Sequence, residues 1–364
     1  MPLIIFDLDT DQFLNNRIFD RENAAKFPGE SWVPLFFEKA QHKGWKVMTA
    51  DRYISESPKE PKALMISEMH TSYSDQLFSM GAKPIVMICA ESPNVAWKFY
   101  HSVNKFVAPF KCFISFGGVK SRICSPTIFT QLYWPNSRRD VCKSNDWENR
   151  RNLVMVASNK RRYRVATSKT FVGLRKLVKP ALWKYLQTFD PLFRFEDLYQ
   201  KRLEAIRYFA ETNDFQLFGT GWDRPEGLSK RDFQSAKRAG ARAVSDKLQS
   251  MSFFKFALCF ENCVFPGYVT EKIFDCFFSG CIPVYLGAPD ITDFIAPDTF
   301  IDYRKFSGFA ELNDFLHAMS ASKAQNYIEA ARVFLASNTF EKFTEDYFAN
   351  HILNILEQDL NCVS

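Results

Sequence analysis

Residues 259–285 read CFENCVFPGYVTEKIFDCFFSGCIPVY. The apolar run 257–260 stops at Glu261-Asn262, and a loop with Pro266 and Gly267 follows. A helix is expected to open near Thr270, whose hydroxyl suits an N-cap. Gly280 suits the position just past a helix end, and Ile282-Pro283-Val284 starts the next strand. This is a strand–loop–helix–strand unit of a parallel α/β sheet. Lys272 stands in the first helical turn, where the dipole disfavours a cation. A bound anion would explain it, because free N–H groups at a helix start attract phosphate. Glu271 suits a ribose, whose two hydroxyls a carboxylate can accept. Together they read as a cradle for a nucleotide diphosphate. The plainer reading is a surface Glu-Lys pair on an ordinary helix.

Outward from this unit, short apolar runs alternate with amphipathic stretches. Expected strands are 3–6, 46–49, 85–90 and 112–116, then 153–157, 215–218, 257–260, 282–286 and 299–302. Few alternate with period two, which suits strands buried on both faces of a parallel sheet. Expected helices are 31–44, 94–106, 199–213, 231–250, 269–279 and helical pattern over 322–360. Two such series in 364 residues imply two Rossmann-like domains. Their boundary is expected within 134–152, which is rich in Pro, Asn, Ser and charge. The domains are read as 1–150 and 151–345, with a C-terminal helix over 346–364 whose return to the first domain is left open.

Hydrophobic residues at 46% and charged residues at 24% exclude disorder and fibre as overall descriptions. A net charge of +6 is too mild for a dedicated nucleic-acid binder. Among nine cysteines, Cys89, Cys112, Cys259, Cys276 and Cys281 lie in apolar runs. Buried reduced thiols are therefore expected, and no spacing suits a structural zinc. The start MPLIIFD lacks a basic region, so no signal peptide is expected, and no apolar stretch of about 18 residues predicts a membrane span. The expectation is a cytoplasmic protein. Between Arg150 and Lys184 there are eleven Lys/Arg and no Asp or Glu. This segment reads as a contact for an anionic surface, peripheral on a membrane, or as a solvated insertion packed on its own domain.

Phe260-Glu261-Asn262, Tyr268-Val269-Thr270-Glu271-Lys272 and Gly280-Cys281-Ile282-Pro283-Val284-Tyr285-Leu286-Gly287 resemble the donor-binding motif of the α1,3/4-fucosyltransferases, glycosyltransferase family ten. Ala296-Pro297-Asp298-Thr299-Phe300-Ile301, followed by Phe306, resembles the family's next signature. The family usually has Ser where Cys263 stands and Asp where Gly267 stands. Met155-Val156-Ala157-Ser158-Asn159 resembles its strand ending in Ser-Asn. The Arg202-led helix and Phe218-Gly219 resemble the elements that follow. The gap from Asn159 to Arg202 makes the basic segment, about 160–198, an insertion.

The resemblance implies an α/β GT-B fold: an acceptor-binding first domain and a donor-binding second, facing across a cleft. It implies an inverting transfer of fucose from GDP-fucose to a hydroxyl of an oligosaccharide or glycoconjugate, α1,3 to a GlcNAc-type sugar. Such a role belongs to glycan biosynthesis, protein glycosylation included. The donor residues carried over are Arg202, Asn262, Tyr268, Glu271 and Lys272, with Arg207 the rival of Arg202. No obligatory metal is implied if Lys272 and an Arg neutralise the diphosphate, and Mg²⁺ or Mn²⁺ is left open. The catalytic base implied is Glu91, in Glu91-Ser92-Pro93. On the residues alone, Glu91 is read as the only carboxylate of this half closing a strongly apolar strand, where parallel sheets bind ligands. Its plainer reading is a first-turn Glu before Pro93. The family's acceptor-region pattern is missing, and Phe116-Gly117-Gly118-Val119-Lys120-Ser121-Arg122 stands there.

Three rivals are weighed. Another sugar-nucleotide transferase of the same fold is one. Asp7-Leu8-Asp9 opens like a haloacid-dehalogenase phosphatase, but no Gly-Asp pair completes its metal site. A membrane- or RNA-binding module resting on 150–184 is the third.

Overall fold

The computed structural model describes residues 1–27, 29–56, 63–124, 126–142, 147–159, 185–225 and 227–361. The chain forms two compact units. One comprises Met1–Arg138, Pro266–Glu271 and Asn338–Ser364, the other Arg139–Phe265 and Lys272–Ser337.

The first unit is built on six strands: β1 (Leu3–Asp7), β2 (Lys46–Thr49), β3 (Leu64–Glu68), β4 (Lys83–Ile88), β5 (Cys112–Ser115) and β6 (Ile128–Gln131). Their order is β2-β1-β3-β4-β5-β6, and every neighbouring pair is parallel. β1 and β5 are buried along their whole length, so their side chains are apolar on both faces. Two strands were not read from the sequence. β3 is Leu-Met-Ile-Ser-Glu, with one β-branched residue and three good helix formers. β6 is a half-exposed edge strand without an apolar run. The helix Trp32–His42 carries Trp32, Val33 and Phe36 into the core.

The C-terminal helix Glu345–Asn361 belongs to this same unit. Phe348 meets the Trp32 ring edge-to-face at 4.8 Å. At its far end Asp359 is buried and accepts Lys83 at 2.7 Å and also Lys111. Burial alone would raise this carboxyl, but the two lysines outweigh it and hold it below its ordinary value.

The second unit has five parallel strands in the order β11-β10-β9-β7-β8: β7 (Arg151–Val156), β8 (Phe215–Phe218), β9 (Phe254–Phe260), β10 (Ile282–Leu286) and β11 (Ile301–Asp302). The first unit's opening segment runs to Arg138, inside the boundary region expected over 134–152, and residues 139–150 belong to the second unit. The reason is local bonding: Cys142 N–H donates to the Phe278 carbonyl and the Arg150 guanidinium to the Gly280 carbonyl, each at 2.7 Å. The stretch expected as one helix over 231–250 is two, Lys230–Arg238 and Lys247–Met251. The stretch expected over 94–106 is also two, Trp97–His101 and Val103–Val107. Most of the basic segment, 160–184, lies outside the described residues. The eight described cysteines are free thiols, and six are buried.

Candidate active site

In the second unit the chemistry gathers where β9 ends. β9 is the central strand, and its last residue Phe260 and the two that follow, Glu261 and Asn262, are buried. Glu261 is fully buried, and its Oε2 lies 3.0 Å from Lys272 Nζ, whose side chain keeps 20% of its exposure. Lys272 is the second residue of the helix Glu271–Ser279. The cation that the helix dipole disfavours therefore has a partner inside the protein as well as any anion it meets.

Arg202 is carried to the same place by the helix Tyr199–Phe209. Its Nε and Nη2 donate to the Phe260 carbonyl at 3.1 and 2.6 Å, and Nη2 reaches Asn262 Oδ1 at 3.2 Å. Arg207 instead pairs with Asp232 at 2.7 Å. Of the two arginines, Arg202 is the one held beside Asn262. Arg202, Lys272 and a residue not anticipated, Lys247, line one hollow with the end of β9. Lys247 pairs with Asp275; it lies in the broken helical stretch, so its sequence carried no positional signal. Asn159 is fully buried, with its Nδ2 on the Gly221 carbonyl at 2.9 Å and its Oδ1 accepting the Tyr199 hydroxyl at 2.7 Å. It ties the loops after β7 and β8 to the Arg202 helix.

Tyr268 and Glu271 lie in Pro266–Glu271, which packs with the first unit. Tyr268 is buried and meets Phe116 edge-to-face at 4.7 Å. Glu271 is half-buried at the head of its helix, where the dipole favours a carboxylate. The Gly118 N–H donates to the Pro266 carbonyl at 3.0 Å. Gly267 has φ +71°, and a Cβ there would stand 2.8 Å from the Gly117 nitrogen. Two of the places where the chain departs from the fucosyltransferase pattern, Gly267 and 116–118, thus pack against each other.

In the first unit carboxylates converge at the carboxyl ends of the strands. Glu91 is exposed, three residues past β4. Its backbone carbonyl accepts the Tyr100 hydroxyl at 2.9 Å. Glu91 is not the only carboxylate closing an apolar strand: Glu68 closes β3 and Asp7 closes β1. Glu68 is half-buried, and burial, then Glu91 and Asp9, push it up to about 7. Glu30, just before the Trp32–His42 helix, is pushed well up by burial, then by Glu68 and Glu91. The mutual repulsion places Glu30, Glu68 and Glu91 in one field. The rule applied to Glu91 would have found Glu68 had β3 been recognised. Asp7 accepts hydroxyls from Ser67 at 2.8 Å, from Ser74 at 2.6 Å and from Thr71. Its burial raises it against those bonds. An aspartate wrapped in three hydroxyls is a structural pin, ill suited to attack a phosphate. Among the described residues no cluster of metal-ligating side chains occurs.

A family profile described as glycosyltransferase family 10 (fucosyltransferase), C-terminal part, matches residues 198–358. An α-(1,3)-fucosyltransferase of Helicobacter pylori is 40% identical over 80 residues, 22% of this chain and 17% of that protein. The curated relatives are matched over small parts of their own length: 17, 16 and 34% for the first three. The structure of HepE from Anabaena, in complex with UDP, superposes with a TM-score of 0.53 at 11% identity, over 98% of this chain and all of that one. WaaG, a glycosyltransferase of lipopolysaccharide biosynthesis, gives 0.51 at 12% identity, over 96 and 99%. These likenesses assign the fold, an α/β GT-B architecture of two Rossmann-like units. Residues 198–358, with the donor motif they contain, are thus similar to the fucosyltransferases of glycosyltransferase family 10.

Proposed function

We propose that the protein is an inverting fucosyltransferase using GDP-fucose as donor and a glycan hydroxyl as acceptor, α1,3 on a GlcNAc-type sugar. The observation that carries this reading is the cationic cluster at the end of β9, Lys272 on Glu261 beside Arg202 and Asn262. A diphosphate leaving group needs fixed positive charge that strengthens as the bond to the sugar breaks. Lys272 and Arg202 supply it without a metal, and Glu271 accepts the ribose hydroxyls.

In this reading Glu91 takes the proton of the acceptor hydroxyl as that oxygen bonds to the anomeric carbon. The bond from that carbon to the diphosphate breaks, GDP departs with the electron pair, and the configuration inverts. Glu91 suits the role because it is exposed and shares one field with Glu30 and Glu68.

The basic segment 150–184 is proposed as a contact with anionic lipid that keeps a cytoplasmic enzyme near its glycoconjugate acceptor. Among the described residues no helix is long and apolar enough to cross a membrane. The test of the donor is calorimetric titration with GDP, GMP, ADP and UDP. Preference for GDP over UDP and GMP is expected. Equal or tighter binding of UDP would move the protein to a different sugar nucleotide.

A further inference from the structure

On the second unit's sheet, Arg151 opens β7, and Gln216 stands inside the neighbouring strand β8. Gln216 is buried, and its Nε2 is held by the carbonyls of Leu217 at 3.2 Å, Ala239 at 3.0 Å and Gly240 at 2.7 Å. The amide is thereby oriented, and its Oε1 accepts from two guanidiniums: Arg151 Nη1 at 3.2 Å and Arg242 Nη1 at 3.3 Å. Each guanidinium also lies over a ring. Arg151 Cζ stands 5.0 Å from the Phe254 centroid, and Arg242 Cζ stands 5.0 Å from that of Phe218. The two rings meet edge-to-face at 5.9 Å. Both arginines are exposed, and among the described residues no carboxylate pairs with either.

Two cations drawn to one oxygen repel each other, and a single amide dipole offsets only part of that repulsion. We propose that Arg151 and Arg242 form a binding site for a phosphate group, with Gln216 the positioning residue beneath them. The chemistry follows from the donors. A guanidinium presents a fork of N–H groups that matches two oxygens of a phosphate. One Nη1 of each arginine is tied to Gln216, and the other N–H groups remain for a ligand. A phosphate has oxygens enough for two forks, whereas one fork already fills a carboxylate. A neutral ligand would leave the repulsion in place. The rings and the amide fix both guanidiniums in advance, so little side-chain freedom is lost on binding. Neither arginine lines the hollow of Arg202 and Lys272. That hollow takes Met155, Val156 and Ala157 from the other end of β7, roughly 15 Å along the strand at about 3.3 Å per residue. The site is therefore separate from the donor cradle. It rests neither on the donor reading nor on the lipid contact proposed for 150–184.

The experiment is phenylglyoxal labelling of the full chain, read at Arg151 and Arg242 by peptide mass spectrometry. GDP is present throughout, so that the donor hollow is filled. The additions compared are inorganic phosphate, sodium chloride at the same ionic strength, and phosphatidylglycerol vesicles, with phosphatidylcholine vesicles as the measure of simple shielding. Phosphate is expected to slow the labelling of both arginines several-fold, and chloride is not. Protection by inorganic phosphate assigns the group to a soluble ligand. Protection by phosphatidylglycerol alone, beyond shielding, assigns it to a lipid headgroup. Arg151→Gln replaces an exposed side chain and should fold, with unchanged GDP affinity by calorimetry as the control. In that variant the protection of Arg242 is expected to need roughly tenfold more of the protecting phosphate, the scale of one lost charge-assisted contact. Equal protection by phosphate and chloride, protection by neither phosphate source, or an unchanged requirement in Arg151→Gln would overturn the site. Should GDP fail to bind the wild type, the donor reading falls, and labelling at Arg151 and Arg242 still decides this one.

Discussion

Lys272 Nζ lies 3.0 Å from Glu261 Oε2, and Glu261 is wholly buried. A lysine placed for an anion thus also neutralises a carboxylate that has no access to water. Removing it has two consequences. Lys272→Ala is expected to weaken GDP binding by about 1.5–3 kcal/mol, the scale of a charge-assisted contact. It also leaves Glu261 buried beside one less cation, which costs roughly 3 kcal/mol of stability when a buried pair is broken. Lys272→Arg keeps the charge and should recover most of the stability. Calorimetry and thermal melts on both variants separate the effects. Unchanged GDP affinity in Lys272→Ala would remove the phosphate role.

Glu91→Gln is expected to lower kcat by roughly 10²–10⁴, the usual contribution of a positioned general base. The side chain is exposed, so the amide should cost little stability, and GDP affinity should stay at its wild-type value. Single-turnover transfer rates check it. Transfer at the wild-type rate would shift the base to Glu68, the other carboxylate at a strand end in the same field.

Glu68 and Glu30 both bind a proton more readily folded than unfolded. Their contribution to stability is complete below the unfolded value, near 4.5, and is lost as pH rises through the folded value of about 7 for Glu68. Glu68→Gln cannot ionise and should flatten that decline. Its Tm should exceed the wild type's at pH 8 by a few degrees, since 1 kcal/mol moves Tm by about 2–4 °C in a domain of this size. Scanning calorimetry between pH 5 and 8 tests it, and parallel curves would refute it.

Gly267→Asp restores the residue usual in the family, and here it should be harmful. The position has φ +71°, and its Cβ would meet the Gly117 nitrogen at 2.8 Å. A loss of roughly 1–3 kcal/mol is expected from backbone strain of this kind. Denaturant melts measure it. A neutral result would mean the 116–118 loop moves aside easily.

The second unit was legible because its signals are local. The run from Phe260 to Gly287 spells strand end, turn, helix and next strand in one window, and the structure forms those elements there. Arg202 was found through the same resemblance, and its bonds to Phe260 and Asn262 separate it from Arg207. The first unit was less legible. β3 has a single β-branched residue, Ile66, and β6 lies at an edge, so neither rises above background. With β3 unread, Glu68 looked like any charged loop residue. The partner of Lys272 was hidden for another reason: Glu261 is eleven residues away, and nothing in its sequence says which way a strand-end carboxylate turns.

Segments far apart in sequence build the first unit: Met1–Arg138 supplies all its strands, and Asn338–Ser364 supplies the helix that packs Phe348 on Trp32 and seats Asp359 between Lys83 and Lys111. Synthesis proceeds at about 5–20 residues per second. The six strands therefore emerge well before the Glu345–Asn361 helix that closes their core. For much of translation they present an uncovered apolar face and the open edge of β6, where Ile128 is 67% exposed. The second unit's sheet and its helices, all encoded between residues 139 and 337, can settle before that. The order of completion is thus the reverse of the order of synthesis. A change that breaks the Glu345–Asn361 helix thus strikes strands made far earlier.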